Sequence, residues 1–576
     1  MAENLSNAEH RLMTEEVGKE IARALESIAA ENAASAAELD AIFRATMTLE
    51  NTTAVLHSWY PRALELQGES PDRFALLERF GAMMCQAAAG KIFTVRGYTA
   101  ETSGATELTA MDDLAGLGTG QLVTEASEAV TDWTDEHPIG GWWIHANALS
   151  KSDGTMNVLA IKDLDSNFDE TGELAPVYSF FCGLYERVHD DGEYEYHSYA
   201  TTPHAGFAPR PECVAPDGTF RHINWTPAYA GSLALGGGLT SGSGKKVYNF
   251  AAMTTGLTKA RVTSAYEGLM TDCDSRLLLD MWQLRHLNKE NSGIAEGCTN
   301  YNLQYQVAAA EEGVKRVLVT QAQGANFVEL SSVWVGDKGD NSSVDRSNAY
   351  MRNIADMAQI THKEDVTIDG TTYTALYLDV DEAFDITATC YVSTAPWHTG
   401  ITDRLPGHKD GCFHSLTAGK GPLRVMGVEV LTGAYDIGAD PIYQVTAGSD
   451  ANHFDYAIYE VKDSVNQAGS VTANHTLVAS YTDMMKGWNY VKAFMTTVLS
   501  ILFPRLVGGS STTWYKSAFY GTSSAGVRVP WRRGALNVAS NAGLACEHGD
   551  GTPSGSYWHG APRLGGAGKK RGEWAA

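Results

Sequence analysis

At 576 residues the chain is much longer than one hydrophobic core can organise, and at ~100–200 residues per domain it predicts roughly three to five modules. Its 69 acidic residues outnumber 43 Lys and Arg, and the formal charge of −26 repels phosphate backbones, which excludes a general nucleic-acid binder. With 44% apolar residues, and Gly and Pro at 57 and 17, disorder and collagen-like repeats are excluded as well.

No run approaches the ~20 apolar positions that span a bilayer. The longest, Ala493 to Pro504 (AFMTTVLSILFP), reads as a buried strand or helix, so no membrane insertion is expected. The first twenty residues carry Glu3, Glu9, Glu15 and Glu16 without an apolar stretch, which predicts no secretory signal and synthesis in the cytoplasm. Cys85, Cys182, Cys213, Cys273, Cys298, Cys390, Cys412 and Cys546 show no CxxC and no close spacing, so free thiols are expected.

In chain order, His10 to Leu49 has no Pro and reads as helix. Ile21, Leu25, Ile28, Leu39 and Ile42 follow a 4-3 spacing whose intervening seam positions, Asn32 and Ser35, are polar. Two readings fit: a parallel coiled coil joining two or three copies, or one amphipathic helix packed on its own chain. Residues 1–57 are assigned to this helical assembly segment.

From 58 to 244 the pattern turns to aromatic and β-branched runs, such as Asn157–Ile161 and Tyr194–Tyr199, with turn signals at Asp153-Gly154, Asp191-Gly192 and Asp217-Gly218. This predicts a β-rich middle domain closed by a linker or loop tip at Gly236–Gly244. Beyond it, Ser264 to Asn288 reads as a helix, and Val314–Thr320, Val328–Val335 and Tyr373–Asp379 read as strands. No internal repeat of fixed period occurs, which argues against a solenoid or propeller.

The catalytic signatures fail on inspection. Gly244-Lys245 lacks the glycine and hydroxyl residue of a phosphate loop, since Leu239 and Lys246 hold those positions. Asp163, Asp165, Asn167 and Asp169 alternate like calcium ligands, but Phe168 replaces the turn glycine and Leu174 the closing glutamate. His398, His408 and His414 share a segment with Cys412 without compact zinc spacing. Neither a Gly-x-Ser-x-Gly elbow nor His-Glu-x-x-His occurs, and 69 acidic residues make some carboxylate pair inevitable, so none is diagnostic.

The segment from Phe503 to Leu564 is a weave of Gly, Ser, Trp, Tyr, Arg and His with few aliphatics. Such composition suits a recognition surface, because Tyr and Trp give amphipathic contact area while Ser, Gly and Asn adapt their hydrogen bonds. The alternative is a Gly-rich turn region whose aromatics serve a core.

The order Phe503-Pro504, Gly508-Gly509-Ser510-Ser511-Thr512, Arg528, Trp531, Gly534, Ser540-Asn541-Ala542-Gly543-Leu544, Ser554 and Arg563-Leu564 resembles the C-terminal end of variable proteins of diversity-generating retroelements. Upstream, Gly427–Val430, Gly433-Ala434-Tyr435 and Gly297-Cys298-Thr299 resemble companion pieces in virion proteins of phages and prophages of gut bacteria. The resemblance covers roughly 264–564 and is strongest after Phe503.

That resemblance implies a C-type-lectin domain of the formylglycine-generating-enzyme-like type in 245–576, with a variable tract near 529–564, which together with the N-terminal helix and the β-rich middle read above gives an expected α+β multidomain chain. It implies framework places at Gly508–Ser511, Gly534, Gly543, Leu544, Arg563 and Leu564. It implies varying, ligand-binding places at Arg533, Leu536, Asn537, Val538, Ala539, Glu547, His548, Asp550, Gly551, Tyr557, Trp558 and His559. The Asn-richness of such tracts is reduced here to Asn537 and Asn541. Cys546 stands alone in the last hundred residues, so formylglycine chemistry is not expected, and calcium-binding lectin motifs are absent, so no cofactor or metal is expected.

The functional expectation is a virion subunit of a phage tail tip or fibre, not an enzyme, that attaches to a protein or glycan receptor on a bacterial surface. Its other partners would be tail proteins and further copies of itself, a trimer by preference, because linked weak sites raise avidity by ~100-fold or more. The main alternative is a tail-associated enzyme degrading capsule or wall polysaccharide with the acidic β-rich middle. A host-encoded adhesin is the third reading, disfavoured by the expected lack of a signal or anchor.

Overall fold

The computed structural model describes residues 72–125, 139, 142–337, 346–406, 410–414 and 416–565. The segment 1–57 with its heptad seam, and His408, lie outside the described residues.

Helix α1 (Arg73–Ala87) begins where Asp72 accepts the Phe74 N–H at 2.9 Å, capping an otherwise orphaned donor. Its Leu76, Leu77, Phe80, Met84 and Cys85 recur at helical spacing and share a core with Ile144, Phe180, Ile223 and Trp225. Strands β1 (Phe93–Tyr98), β2 (Thr109–Asp112), β3 (Ile144–Ser150), β4 (Met156–Ile161), β5 (Val177–Cys182), β6 (Tyr185–Asp190), β7 (Tyr194–Ala200), β8 (Ala208–Pro209) and β9 (Ile223–Pro227) follow. They form two antiparallel sheets, ordered β2-β1-β7-β6-β8 and β4-β3-β5-β9.

The Asp-Gly dipeptides make the turns their chemistry predicts. Asp153, Asp191 and Asp217 each accept the N–H two residues on, at 2.9–3.0 Å, while the following glycines take positive φ. The Gly236–Gly244 segment is no linker. Its tip lies at Ala234–Gly238, and strand β11 (Leu239–Ser241) pairs with β10 (Gly231–Leu233), its three residues buried. The eight cysteines form no disulfides and are buried, but Cys85 and Cys182, distant in sequence, meet in the α1 core, and their mutual contact together with burial pushes the Cys85 thiol well above its usual range.

The helix expected over 264–288 is found as α3 (Asp272–His286), its start set later by turns that separate it from an earlier helix, α2 (Met253–Thr263). All of α3 except His286 is buried, its charges included, so each charge needs a partner. Arg276 and Asp280 of α3 join Arg210, Glu186 and Glu212, with Arg210 donating to Glu186 at 3.0 Å and to Asp280 at 2.6 Å. His197 of β7 stands 2.8 Å from Glu195 and 3.9 Å from Glu186. Burial opposes charge on His197, but these two carboxylates prevail and raise it to about 9. Burial likewise opposes ionisation of Glu186 and Glu195, yet Arg210 and Arg276 bring the first to about 2 and His197 the second to about 2.

A pH dependence follows. His197 is raised in the fold, so its contribution is complete below the ordinary 6.5 and is lost as pH climbs through about 9. The glutamates are lowered, so theirs is complete above the ordinary 4.5 and is lost as pH falls toward about 2. Calorimetric melting temperatures should fall on both sides of that interval, and His197→Gln should flatten the alkaline limb. A parallel alkaline decline in wild type and variant would absolve this cluster.

Strands β12 (Gln304–Gln306), β13 (Glu311–Val314), β14 (Arg316–Thr320), β15 (Ser332–Gly336), β16 (Ala355–Ile368), β17 (Thr371–Leu378), β18 (Phe384–Ile386) and β19 (Tyr391–Thr394) form a sheet ordered β12-β19-β15-β16-β17-β14, plus the β13-β18 pair. They hold a core of their own, in which Val317, Val333, Ile360, Leu376 and Val392 are fully buried. The three strands expected here appear as β14, β15 and β17 with shifted ends.

The remaining chain gives β20 (Gly411–Cys412), β21 (Leu423–Val425), β22 (Val428–Val430), β23 (Tyr435–Ile437), β24 (Ile442–Ala447), β25 (His453–Val461), β26 (His475–Met485), β27 (Gly487–Phe494), β28 (Pro504–Val507), β29 (Ala518–Gly521), β30 (Gly526–Arg528), β31 (Trp531–Arg532), β32 (Glu547–His548) and β33 (Gly560–Pro562). Besides the small β20-β21-β22 sheet, they make a four-stranded sheet, β26-β25-β24-β30, and a seven-stranded sheet, β28-β27-β29-β32-β31-β23-β33. The architecture is thus mainly β-sheet, divided among several sheets, with few helices. No helix among the described residues is long and apolar enough to cross a membrane.

Candidate functional site

Successive side chains of a strand point to opposite faces of its sheet, and that alternation builds the site. On the inner face of the seven-stranded sheet, Phe519 packs with Tyr456 and Phe503. Beside it, Arg532 donates to both oxygens of Asp272 on α3, at 2.9 and 2.5 Å, and pairs with Glu547 at 2.6 Å. The next residue along each strand faces the other way. Register sets Trp488 of β27 opposite Tyr520 of β29, and Tyr520 opposite His548 of β32. The Arg532–Glu547 pairing then sets Trp531 beside His548.

The result is a row of rings across the sheet. Trp488 meets Tyr520 edge-on at 5.1 Å, Tyr520 stacks on His548 at 4.4 Å, and His548 lies 6.3 Å from Trp531. The loop before β33 adds Tyr557, 5.7 Å from Trp531, and His559, stacked on Tyr557 at 5.9 Å. Tyr435 of β23 lies beneath, touching Trp531, His548 and His559. Tyr435 and Trp531 are each 2% exposed and form the floor. Trp488, Tyr520, His548 and His559 are half-buried, and Tyr557 is 50% exposed. Burial pushes His548 down to about 4, so its ring is neutral at pH 7.

Of the twelve residues assigned to ligand binding, the fold brings His548, Tyr557 and His559 into this row. Asp550 is half-buried, its carboxylate accepting from Arg528 at 3.1 Å and from the Thr522 hydroxyl. Asn537 and Ala539 are exposed on the loop after β31. That loop abuts β27, where the Tyr490 hydroxyl reaches Ser540 at 3.2 Å.

The other six are buried, which corrects their assignment to the surface. Glu547 faces inward by the alternation that turns His548 outward. Arg533 takes φ +74°, which breaks the alternation and sends its guanidinium to Asp436, shared with Arg563. Leu536 lies in a core with Cys298, Trp397 and Trp558, its N–H donating to the Gly433 carbonyl at 3.1 Å. Val538 packs with Ala535 and Ala542. Trp558 meets Trp334 edge-on at 6.0 Å beneath the Arg346 guanidinium. A Cβ on Gly551 would come within 2.4 Å of the Trp531 indole, so this glycine is what lets Trp531 sit flat in the floor.

The framework residues behave differently. Buried Glu290 accepts the N–H groups of Leu544 and Ala545 at 2.9 and 2.8 Å and the Ser517 hydroxyl at 2.8 Å, locking the turn after Gly543. Leu544, Arg563 and Leu564 are buried, whereas Gly508 is exposed, at φ +108°.

Sequence reasoning missed Trp488, Tyr520 and the floor role of Trp531 and Tyr435. The signal was the alternation within Gly487–Phe494 (GWNYVKAF), where Trp488 and Tyr490 share one face. The calcium-like loop is spent on the fold: Asp165 pairs with Arg73 at 2.7 Å, and Asp169 accepts the N–H groups of Thr171, Glu173 and Leu174. His398 faces the Met357 carbonyl and His414 faces Glu125, so they do not converge with Cys412. Among the described residues no cluster of three His, Cys, Asp or Glu is placed to hold a metal.

No family model and no curated protein matches the chain. Fold and site alone therefore define the class: a β-rich, multi-sheet protein displaying an aromatic row on one sheet face.

Proposed function

We propose that this chain is a receptor-binding subunit of a phage tail tip or fibre, which holds a bacterial surface ligand against the aromatic row without breaking a bond. The observation that carries this reading is the row itself. Above the buried Trp531 and Tyr435, the rings of Trp488, Tyr520, His548, Tyr557 and His559 are kept partly exposed on a frame stapled from behind by Arg532, Asp272 and Glu547, so their identity can change without opening the core.

We also propose the C-type-lectin assignment for the C-terminal part, with the N-terminal segment joining copies into a trimer in the virion. The segments that carry the family resemblance converge, which supports it. The Cys298 N–H donates to the Leu431 carbonyl at 2.9 Å and the Ala539 N–H to the Thr299 carbonyl at 2.8 Å. Under this reading diversification falls on outward positions. A template copy of the coding sequence should differ at Asn537, Ala539, His548, Asp550, Tyr557 and His559, and match at Leu536, Val538, Glu547 and Trp558.

The test is attachment of fluorescently labelled full-length protein to a panel of gut-bacterial isolates, read by flow cytometry. Trp488→Ala combined with Tyr520→Ala and Tyr557→Ala should reduce attachment about tenfold or more, while thermal unfolding moves little. Undiminished attachment by a folded triple variant would move the contact surface elsewhere.

A further inference from the structure

The outward face of the seven-stranded sheet continues beyond the aromatic row, and its continuation carries charge. On β27 the alternation that turns Trp488 outward also turns Tyr490 and Lys492 outward, with Val491 fully buried between them. Tyr490 lies opposite Ala518 of β29, and the pairing runs on past the end of that strand, where the Val491 N–H donates to the Ser517 carbonyl at 3.1 Å. Lys516, half-buried between buried Tyr515 and Ser517, is therefore the cross-strand neighbour of Lys492.

We infer that these two lysines form an oxyanion subsite at the edge of the row, which takes the carboxylate or phosphate of an acidic bacterial-surface glycan; the inference rests on the row being the contact surface. Like charges facing each other across a strand pair destabilise it, and an anion between them would relieve that repulsion. The fold supplies none. The Lys492 ammonium lies over the Trp514 ring at 4.2 Å, the Lys516 ammonium donates to the Ser292 carbonyl at 3.2 Å, and among the described residues no carboxylate pairs with either. Glu101, next to the Ala100 carbonyl that accepts the Trp514 indole N–H, is engaged by Arg505 at 3.1 Å, and Asp550 by Arg528 at 3.1 Å. His548 and His559 of the row carry no negative charge in either protonation state.

The surroundings favour a sugar acid over an acidic peptide. The N–H groups of Gly508 and Gly509 both donate to the Tyr490 carbonyl, at 2.9 and 3.2 Å, which folds their loop over β27. A Cβ on Gly509 would come within 3.1 Å of the Trp514 ring and 3.6 Å of the Lys492 stem. That loop brings the exposed Ser511 and Thr512 to the rim, and Ser540 adds a hydroxyl 3.2 Å from that of Tyr490. Hydroxyls both donate and accept, which suits a polyol, whereas a peptide needs pockets for apolar anchors. The formal charge of −26 selects further: a polymer with one acid per repeat is tolerated where a densely charged one is repelled.

The experiment titrates the full chain by calorimetry with oligosaccharides carrying one glucuronate per repeat, with phosphodiester-linked ones, with neutral ones and with a glutamate-rich peptide. At least one acidic glycan class should bind, and the two acidic arms separate carboxylate from phosphate. Lys492→Gln combined with Lys516→Gln should weaken binding about tenfold or more, while Lys492→Arg, which keeps the charge and the contact with Trp514, retains most of it. The loss should shrink as salt rises from about 50 to about 500 mM. Since the double variant removes two like charges, it should melt close to wild type, which separates lost binding from lost folding. Equal binding by wild type and double variant, preference for neutral sugars, binding of the peptide alone, or silence of both acidic glycans would each overturn the inference. On cells, a double variant that attaches like wild type while the aromatic triple variant does not refutes the subsite and leaves the adhesion reading standing. Normal attachment by the triple variant refutes that reading, and the subsite with it.

Discussion

Arg532→Ala is expected to destabilise the full chain by about 3–5 kcal/mol, as removal of one partner from a buried charge cluster does. The guanidinium, fully buried, faces Asp272 and Glu547, themselves fully buried, and donates to the Leu502 carbonyl at 2.8 Å. Alanine would leave two carboxylates beside each other without a cation, and burial already pushes both upward, Glu547 to about 8, against the pull of Arg532. Both would then bind protons more tightly in the folded than in the unfolded state. Stability of the variant should accordingly fall as pH rises from the ordinary carboxylate range, and recover on acidification toward pH 5. Arg532→Lys should rescue only in part, because an ammonium cannot reproduce the fork that spans Asp272 and Glu547. Denaturant midpoints for the three proteins at about pH 5 and pH 8 decide the matter. A deficit indifferent to pH would mean that the carboxylates are not left uncompensated.

The second large effect separates neighbours in sequence. Leu536→Ala should cost about 2–5 kcal/mol and Trp558→Ala about 3–5 kcal/mol, the cost of emptying a packed site. Leu536 is 0% exposed and Trp558 3%. Asn537→Ala and Tyr557→Ala, one residue away in each case, should stay within about 0.5 kcal/mol, because both side chains are exposed. Chemical denaturation of the four variants, with unchanged slope as the check on two-state behaviour, measures the contrast. Four equally small effects would mean that the segment from Gly534 to His559 is not packed as described. The contrast bears on function too, since a diversified protein tolerates exchange only where a side chain makes no core contact.

Several features were legible before any coordinates. Asp153-Gly154, Asp191-Gly192 and Asp217-Gly218 are turns because a short carboxylate reaches the N–H two residues on and glycine accepts positive φ, both local properties. The helical pattern around Leu277–Leu284 was equally local, although its start had to move to Asp272, where Thr271 and Asp274 make a capping box. Leu544, an aliphatic able to sit in a core, is buried, and Gly543 beside it takes φ +152°, both of which residue type alone allows.

The site was legible only in part. His548, Tyr557 and His559 were singled out with nine others, and nothing in the segment distinguished them. Strands β31 and β32 are two residues each, too short for a period of two to register, and they exist as strands because β23, β29 and each other supply their hydrogen bonds.

What the amino-acid order determined by itself was local: the turns, the helical stretches, the β-rich character, and the concentration of aromatic and glycine residues after Phe503. Only the tertiary structure decided which of those aromatics face outward. Facing is a property of pairing, since Glu547 turns inward and His548 outward only once Arg532 and Tyr520 lie beside them. Tyr435, Trp488 and Tyr520, which complete the row, reach it from strands of their own, through contacts between residues far apart along the chain that no local preference encodes.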